Sequence, residues 1–253
     1  MERFLSARDK IFLTIGLSSQ FIGGADFAAV PVSLLFDLYT GESGESKASF
    51  NQAIFRGLKA KQLASPASPV RRRTDEKEKT LVLTPLGRKL LFHDFPQLGN
   101  RSEAWDKLWR IVTFDIGEAD RATRDNLREK LKKVGFGTLQ ESLYLYPFPL
   151  PEDLDDFLDT EGLLDRVHIF EAKVLGAGHQ SAPGYSEKLI AEKVWKLAEI
   201  NRRYKKILVS NKQGGDKVET ANKYLQVLAS DPMLPKELLP ADWNAEKVRK
   251  LLR

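Results

Sequence analysis

The chain has 253 residues, 42% of them hydrophobic, which is enough to build packed cores and more than most single domains contain. It has no cysteine, so disulfides and thiol catalysis are excluded, and it has no apolar run of the ~18 residues that a transmembrane helix needs. The amino terminus is interrupted by Asp9 and Lys10 and lacks a small-residue cleavage site, so we predict no signal peptide and a cytoplasmic location.

The net charge of +5 is unevenly distributed. Residues 47–90 contain eleven lysines and arginines against three acids, a balance of +8, which leaves the rest of the chain at about −3. Concentrated positive charge is typical of a polyanion partner, because neutralising phosphates releases condensed counterions. Composition alone favours a simpler alternative, a solvated basic surface, so the order of the predicted elements has to decide between them.

Residues 1–95 show the pattern of a winged helix-turn-helix domain. Helices are predicted over residues 7–18, over a second apolar segment with Pro31 near its start, and over residues 47–64, where Phe50, Ile54, Phe55 and Leu58 have the spacing of an inward face. The third of these helices is short enough to enter a DNA major groove.

Two short strands and a fourth helix are predicted to follow the third helix. The strands are Val70–Arg73 and Thr80–Leu83, on either side of a charged tip, and Thr84 is the expected N-cap of the helix that Pro85 begins. Within this pattern we expect base-edge contacts from Asn51, Gln52 and Arg56. Phosphate contacts are expected from the basic side chains Lys59, Lys61, Arg71, Arg72, Arg73 and Lys77, although each of these side chains could instead only solubilise its surface.

Residues 104–175 predict a ferredoxin-like βαββαβ domain with both helices on one face of a sheet. A buried strand, WRIVTF, ends at Asp115 and is followed by a helix with Leu127, Leu131 and Val134 at helical spacing and Gly135 as its stop. An alternating segment, an acidic helix after Pro151 and the strand RVHIFEAKVL complete the order. The charged stripe Arg121, Arg124, Arg128 and Lys132 is either a second phosphate surface or, as we favour, a solvent face paired with Asp125 and Glu129.

Residues 184–253 predict a mainly helical domain, so the fold class expected for the whole chain is α+β. A long amphipathic helix is expected over residues 187–210 and a second helix over 217–229. A proline-punctuated segment follows and ends in a short helix. We predict no metal site and no cofactor, because the three histidines stand apart and no glycine-rich phosphate loop follows a strand.

The stretch WRIVTFDIGEADRATRDNLREKLKKVGFGTLQESLYLYP resembles the central domain of PaaX-type repressors, bacterial regulators of phenylacetic acid degradation. It is also similar to the small ferredoxin-fold subunit of the CRISPR spacer-integration complex. The phrase DPMLPKELLPADW resembles the C-terminal signature of the repressors and not of the CRISPR subunit. The matching central positions are Phe114, Asp115, Ile116, Gly135, Phe136, Leu139, Gln140, Ser142 and Tyr144.

This resemblance implies a transcriptional repressor that binds double-stranded DNA as a homodimer, that is not an enzyme, and that responds to an acyl-CoA effector, phenylacetyl-CoA in the type case. Side chains of the types that a CoA pocket uses are Trp195, Arg202, Arg203, Tyr204 and Trp243, and core packing or an exposed helix surface is the simpler interpretation of each. The CRISPR relatives suggest an alternative, a metal-dependent nuclease that uses Asp115. We favour a scaffold role for Asp115, because the sequence offers no second group of ligands to complete a metal site.

Overall fold

The computed structural model describes residues 5–18, 27–40, 46–66, 79–102, 104–173 and 186–252. These residues form a mixed α+β structure with two antiparallel sheets. The strands are β1 (Val30–Pro31), β2 (Leu63–Ala64), β3 (Thr80–Leu83), β4 (Trp109–Phe114), β5 (Gly137–Gln140), β6 (Leu143–Tyr146) and β7 (Val167–Ala172). The helices are α1 (Ala7–Gly16), α2 (Val32–Thr40), α3 (Lys47–Lys59), α4 (Pro85–Asp94), α5 (Arg121–Val134), α6 (Glu152–Thr160), α7 (Glu187–Trp195), α8 (Leu197–Lys212), α9 (Lys217–Leu228) and α10 (Ala245–Leu252).

The chain forms two compact units. The first unit contains Met1–Asp94, Ile200–Asp231 and Trp243–Arg253, and the second contains Phe95–Glu199 and Pro232–Asp242. These bounds differ from the predicted domains 1–95, 104–175 and 184–253. Because compactness does not measure independent folding, the three-domain division stays a prediction.

In the first unit, α1 is buried on almost every side and contacts α2, α3 and α4. A three-stranded sheet has the order β1-β3-β2, with Val30 opposite Leu81 and Leu63 opposite Leu83. Helix α9 also contacts α1 and α2, and α10 contacts α9. The carboxyl-terminal helices therefore belong to the same core as the amino-terminal ones.

Two sequence predictions for this unit need correction. Pro31 lies in β1 just before α2, where it closes the strand instead of sitting in the first helical turn. Helix α3 ends at Lys59, and the residues after it form β2, the strand that pairs with β3. The predicted strand Thr80–Leu83 is confirmed, whereas the predicted strand Val70–Arg73 lies outside the described residues.

The second unit contains a four-stranded antiparallel sheet with the order β5-β6-β4-β7. Helix α5 connects β4 to β5, and α6 connects β6 to β7. Alternate strand residues such as Val112, Phe114 and Tyr144 form one core with Leu131 of α5 and Leu154 of α6. Gly135 ends α5 with a φ of 111°, a left-handed conformation that favours glycine. The predicted elements of this region are all present.

The helix predicted over residues 187–210 is interrupted in the structure. Lys196 has a φ of 53°, which ends α7 before α8 begins. Nearby, Trp195 stacks on Trp109 with ring centroids 5.9 Å apart and donates a hydrogen bond to the Gly135 carbonyl at 3.0 Å. These tertiary contacts hold the end of α7 in place. No helix in the described part of the chain is both long and apolar enough to span a bilayer.

Candidate nucleic-acid interface

Helix α3 is anchored through one aromatic side chain. Phe50 is 1% exposed and packs against Phe36 and Tyr39 of α2, with ring centroids 5.3 and 5.4 Å away. The Ser46 hydroxyl caps the start of the helix by accepting a hydrogen bond from the Ser49 amide at 3.3 Å. These contacts leave the opposite face of α3 turned to solvent.

The exposed face of α3 carries the predicted DNA contacts. Asn51, Gln52, Arg56 and Lys59 are all exposed, and so is Lys61 just beyond the helix. The other predicted phosphate contacts, Arg71, Arg72, Arg73 and Lys77, lie outside the described residues.

The apolar face predicted for α3 is partly wrong. Phe50 points inward as expected and Ile54 is half-buried, but Phe55 is 65% exposed and Leu58 is 40% exposed. The inward stripe runs through Gly57, where an added Cβ would lie 2.7 Å from the Leu63 side chain of β2. Helix α3 and β2 approach each other closely at this glycine, which turns Phe55 outward.

Among the described residues, the cations of α3 have no acidic partner. Residues 46–66 contain Lys47, Arg56, Lys59 and Lys61 but no aspartate or glutamate. Within the part of the chain that the structure describes, no ion pair involves Arg56, Lys59 or Lys61. Positive charge concentrated in this way attracts a polyanion.

The end of α3 is held in a strained turn. The Gln62 amide donates to the Gly57 carbonyl at 2.9 Å and the Lys61 amide donates to the Leu58 carbonyl at 3.0 Å, the pattern of a Schellman motif. The motif needs a left-handed residue, and here it is Lys61, with a φ of 55°. A lysine at this position costs about 1 kcal/mol relative to glycine.

Thr84 links this turn to α4. Its hydroxyl accepts a hydrogen bond from the Gly87 amide at 3.1 Å, which confirms Thr84 as the N-cap of α4. The same hydroxyl donates to the Lys61 carbonyl at 2.6 Å, and the Thr84 amide donates to the Gln62 carbonyl at 3.0 Å. An added Cβ at Gly87 would lie 2.2 Å from the Gln62 carbonyl oxygen, so the backbone approach also requires a glycine there.

The basic stripe of α5 differs from the α3 face because its cations have acidic partners. Arg124 contacts Glu118 at 2.8 Å, and Arg128 contacts Asp125 at 3.5 Å. Arg121 approaches Asp125 at 3.7 Å. The predicted pairing with Asp125 is therefore confirmed for Arg121 and Arg128, whereas Arg124 pairs with Glu118, and no ion pair of Glu129 occurs among the described residues.

Asp115 is exposed at the end of β4, and its amide donates to the Arg166 carbonyl at 3.3 Å. The acidic residues that follow Asp115 in the sequence form ion pairs. Asp120 contacts Arg166 at 2.6 Å, and Glu118 contacts Arg124. The hydrogen bond to Asp120 raises the pKa of the Arg166 guanidinium above its ordinary value. Among the described residues, no group of three potential metal ligands occurs. The scaffold role of Asp115 stays a prediction.

Most side chains considered for an effector pocket are used in packing. Tyr204 is fully buried, and its hydroxyl donates to the Asp231 carboxylate at 2.7 Å while Trp243 packs edge-on against its ring. Burial raises the pKa of Tyr204 well above the ordinary 10.0. Arg203 donates to the Gln226 carbonyl at 3.3 Å. Of the set, Arg202 is exposed, and Trp195 packs within the second unit as described above.

Two family models match the chain. The model described as the PaaX protein central Cas2-like domain matches residues 102–183, and the model of the PaaX-like protein C-terminal domain matches residues 195–253. Together they cover more than half of the chain.

A curated protein and a solved structure are also similar to the chain. The transcriptional repressor PaaX of Escherichia coli (strain K12) is 28% identical over 165 residues, which are 58% of this chain and 50% of that protein, so the match spans half the length of the relative. The uncharacterized protein Rv0674 from Mycobacterium tuberculosis shares the fold, with a TM-score of 0.59 and 24% identity over 98% of this chain and 93% of that one. From the two matched domains and this repressor relative, we conclude that the chain belongs to the family of PaaX-type repressors.

Proposed function

We propose that the protein is a transcriptional regulator that binds specific double-stranded DNA sequences and represses transcription as a homodimer. The observation that carries this proposal is the exposed face of α3, which combines amide and basic side chains with no acidic partner among the described residues. Amides and arginine are the side chains that bind adenine and guanine edges in the major groove, while lysines bind phosphates.

The arrangement of the first unit supports a winged-helix mode of binding. Helix α3 is followed by the antiparallel strands β2 and β3, and β1, between α1 and α2, completes the sheet. In such a domain the third helix enters the major groove and the hairpin lies beside the flanking backbone. Asn51, Gln52 and Arg56 would then contact bases. Lys59 and Lys61 would contact phosphates together with Arg71, Arg72, Arg73 and Lys77.

The second unit supports a ferredoxin-like domain. Its elements follow the order β4-α5-β5-β6-α6-β7, and the first and third of its strands are neighbours at the centre of the sheet. We assign dimerisation to the central and carboxyl-terminal regions, by analogy with the family. A two-fold dimer would match a palindromic operator. By the same analogy, we propose that an acyl-CoA effector releases the protein from DNA.

The decisive experiment is selection of bound sequences from a random duplex pool by the full-length protein. A regulator enriches one motif with two half-sites, and its affinity falls steeply as salt increases. Repeating the selection with acyl-CoA thioesters, with free CoA as the control, tests the effector. Recovery of unenriched sequences would contradict sequence-specific regulation.

A further inference from the structure

Phe55 is the most exposed large hydrophobic side chain in the described part of the chain. It is 65% exposed, in a helix that buries Phe50 almost completely. Singly exposed apolar side chains are common, but Phe55 lies one helical turn from Leu58, which is 40% exposed, and burying such an apolar pair is strongly favourable.

The neighbours of Phe55 on the helix surface are all exposed. Asn51 and Gln52 lie four and three residues before it, and Leu58 and Lys59 lie three and four residues after it, so these side chains surround its ring. Phe55 therefore occupies the centre of the face that carries the predicted base contacts. Its position is not that of a side chain at the margin of a core.

Two kinds of side chain on this face, the amides and the aromatic ring, together match an A·T base pair. In the major groove an A·T pair presents the N6 and N7 atoms of adenine, which an asparagine or glutamine amide can bind, beside the C5-methyl group of thymine. That methyl group is the apolar feature by which the major groove distinguishes thymine. An amide and an exposed aromatic ring one helical turn apart can contact both halves of the same pair.

We infer that Phe55 determines sequence specificity by packing on the methyl group of a thymine. This inference rests on the proposed DNA-binding function and names one contact within it. A second copy of this chain is a less favourable partner for the Phe55 ring than DNA. Residues 46–66 carry four cations and no acid, so two such faces would repel each other, whereas DNA is attracted.

The test uses the duplex recovered by selection and a series of duplexes in which each thymine is replaced, one at a time, by deoxyuracil, which lacks only the C5-methyl group. At one position the wild-type protein should lose about fourfold in affinity, the ~0.8 kcal/mol of one buried methyl-sized group converted at ~1.4 kcal/mol per tenfold. Phe55→Ala should bind the thymine and uracil duplexes equally. Phe170→Ala, which removes a 53% exposed ring from β7 in the second unit, should retain the wild-type ratio.

Two results would overturn the contact while leaving the regulator proposal intact. One is specific binding with no thymine-to-uracil effect at any position, and the other is a ratio that is the same in Phe55→Ala as in the wild type. Failure of the wild type to select any sequence would instead remove the regulator proposal and this contact with it. Light scattering tests whether a second copy of the chain covers Phe55. If Phe55→Ala converts a dimer into a monomer without altering the thymine-to-uracil ratio, a second copy covers the ring and the inference is wrong.

Discussion

The hydroxyl of Thr84 donates a hydrogen bond to the main-chain carbonyl of Lys61 at 2.6 Å, although 23 residues separate them in the sequence. The bond joins the turn that ends α3 to the first turn of α4. The orientation of the exposed α3 face therefore depends in part on a residue that no inspection of α3 alone would identify.

Replacing Thr84 by valine should lower the free energy of unfolding of the first unit by about 1–3 kcal/mol. The substitution keeps the shape of the side chain but removes both the N-cap of α4 and the hydrogen bond to Lys61. Urea denaturation followed by circular dichroism measures the change. Thr84→Ser keeps the hydroxyl and is the matched control, which should stay within a few tenths of a kcal/mol of the wild type. Equal midpoints for valine and serine would contradict the role of the hydroxyl.

Replacing Lys61 by glycine should stabilise the protein by up to ~1 kcal/mol and weaken its binding to DNA. Glycine adopts the left-handed conformation without the cost that Lys61 bears, but it removes a cation from the predicted phosphate contacts. Thermal unfolding and the salt dependence of DNA affinity measure the two effects, and the logarithmic salt slope should fall by about one.

Lys61→Ala separates the two effects, because alanine removes the charge but keeps the Cβ. It should weaken DNA binding in the same way without raising the unfolding temperature. A glycine variant with unchanged DNA affinity would exclude Lys61 from the interface.

Arg56→Ala and Lys59→Ala should affect DNA binding differently. If Arg56 contacts a base, its loss costs ~1–3 kcal/mol on the selected sequence and relaxes the preference at one position. Loss of Lys59 should weaken binding to all sequences alike, because phosphate contacts carry no sequence information. Competition with selected and scrambled duplexes measures both variants. Arg124→Ala in α5 is the matched control, since Arg124 is already paired with Glu118. If neither α3 variant changes retention on DNA, α3 is not the recognition helix.

Asp115→Asn should leave DNA binding unchanged. Asp115 is exposed, and the neighbouring acids Glu118 and Asp120 are paired with arginines. The measurement combines a mobility-shift titration with a Mg²⁺-dependent cleavage assay on the same duplexes. Cleavage by the wild type that the asparagine variant lacks would instead favour the nuclease alternative.

Tyr204→Phe should destabilise the first unit by about 1–3 kcal/mol near neutral pH, because the buried Asp231 carboxylate loses the hydrogen bond from the Tyr204 hydroxyl. The pKa of Tyr204 is raised in the folded protein, mainly by burial and further by Asp231. The stabilisation that this shift provides is therefore complete below the ordinary pKa of 10.0 and is lost as pH rises from there toward the folded value.

The pH dependence offers a second readout for the same pair. The difference in unfolding free energy between wild type and Tyr204→Phe should decrease above about pH 10. Urea titrations of both proteins between pH 8 and 11 isolate this contribution, since the other titrating groups are common to both. A difference that stays constant over this range would contradict the raised pKa.

The central sheet could be predicted because its local signals agree with one another. From Arg110 to Phe114 the strand alternates between buried and half-buried positions, and Gly135 stops α5 where a left-handed residue is required. Local pattern and tertiary packing favour the same structure here, so periodicity alone is sufficient.

The orientation of α3 could not be predicted for an identifiable reason. Hydropathy groups Ile54, Phe55 and Leu58 with Phe50 on one inward face and gives Gly57 no weight. In the structure Gly57 is buried and Ile54 is half-buried, because the missing side chain of Gly57 lets Leu63 of β2 approach, while Phe55 and Leu58 are exposed. The close approach of a partner strand does not alter the spacing of apolar residues in the helix, so periodicity cannot predict it.

The interruption at Lys196 is a similar case. Lysine is a good helix former, and the apolar spacing of residues 187–210 continues past it. The break is stabilised by contacts of Trp195 with Trp109 and Gly135, residues about 60 or more positions earlier in the chain. Sequence reasoning also missed the Thr84–Lys61 hydrogen bond, since a threonine before a proline indicates only a helix start.

The packing of α9 against α1 and α2 has a genetic consequence. A nonsense mutation just before codon 200 would leave every predicted DNA-contacting residue in the translated product. It would nevertheless deprive the amino-terminal helices of α9 and α10, uncovering apolar surface that the full-length protein hides. We therefore expect late truncation alleles to behave as null alleles through loss of folded protein, although they retain the predicted DNA-contacting residues.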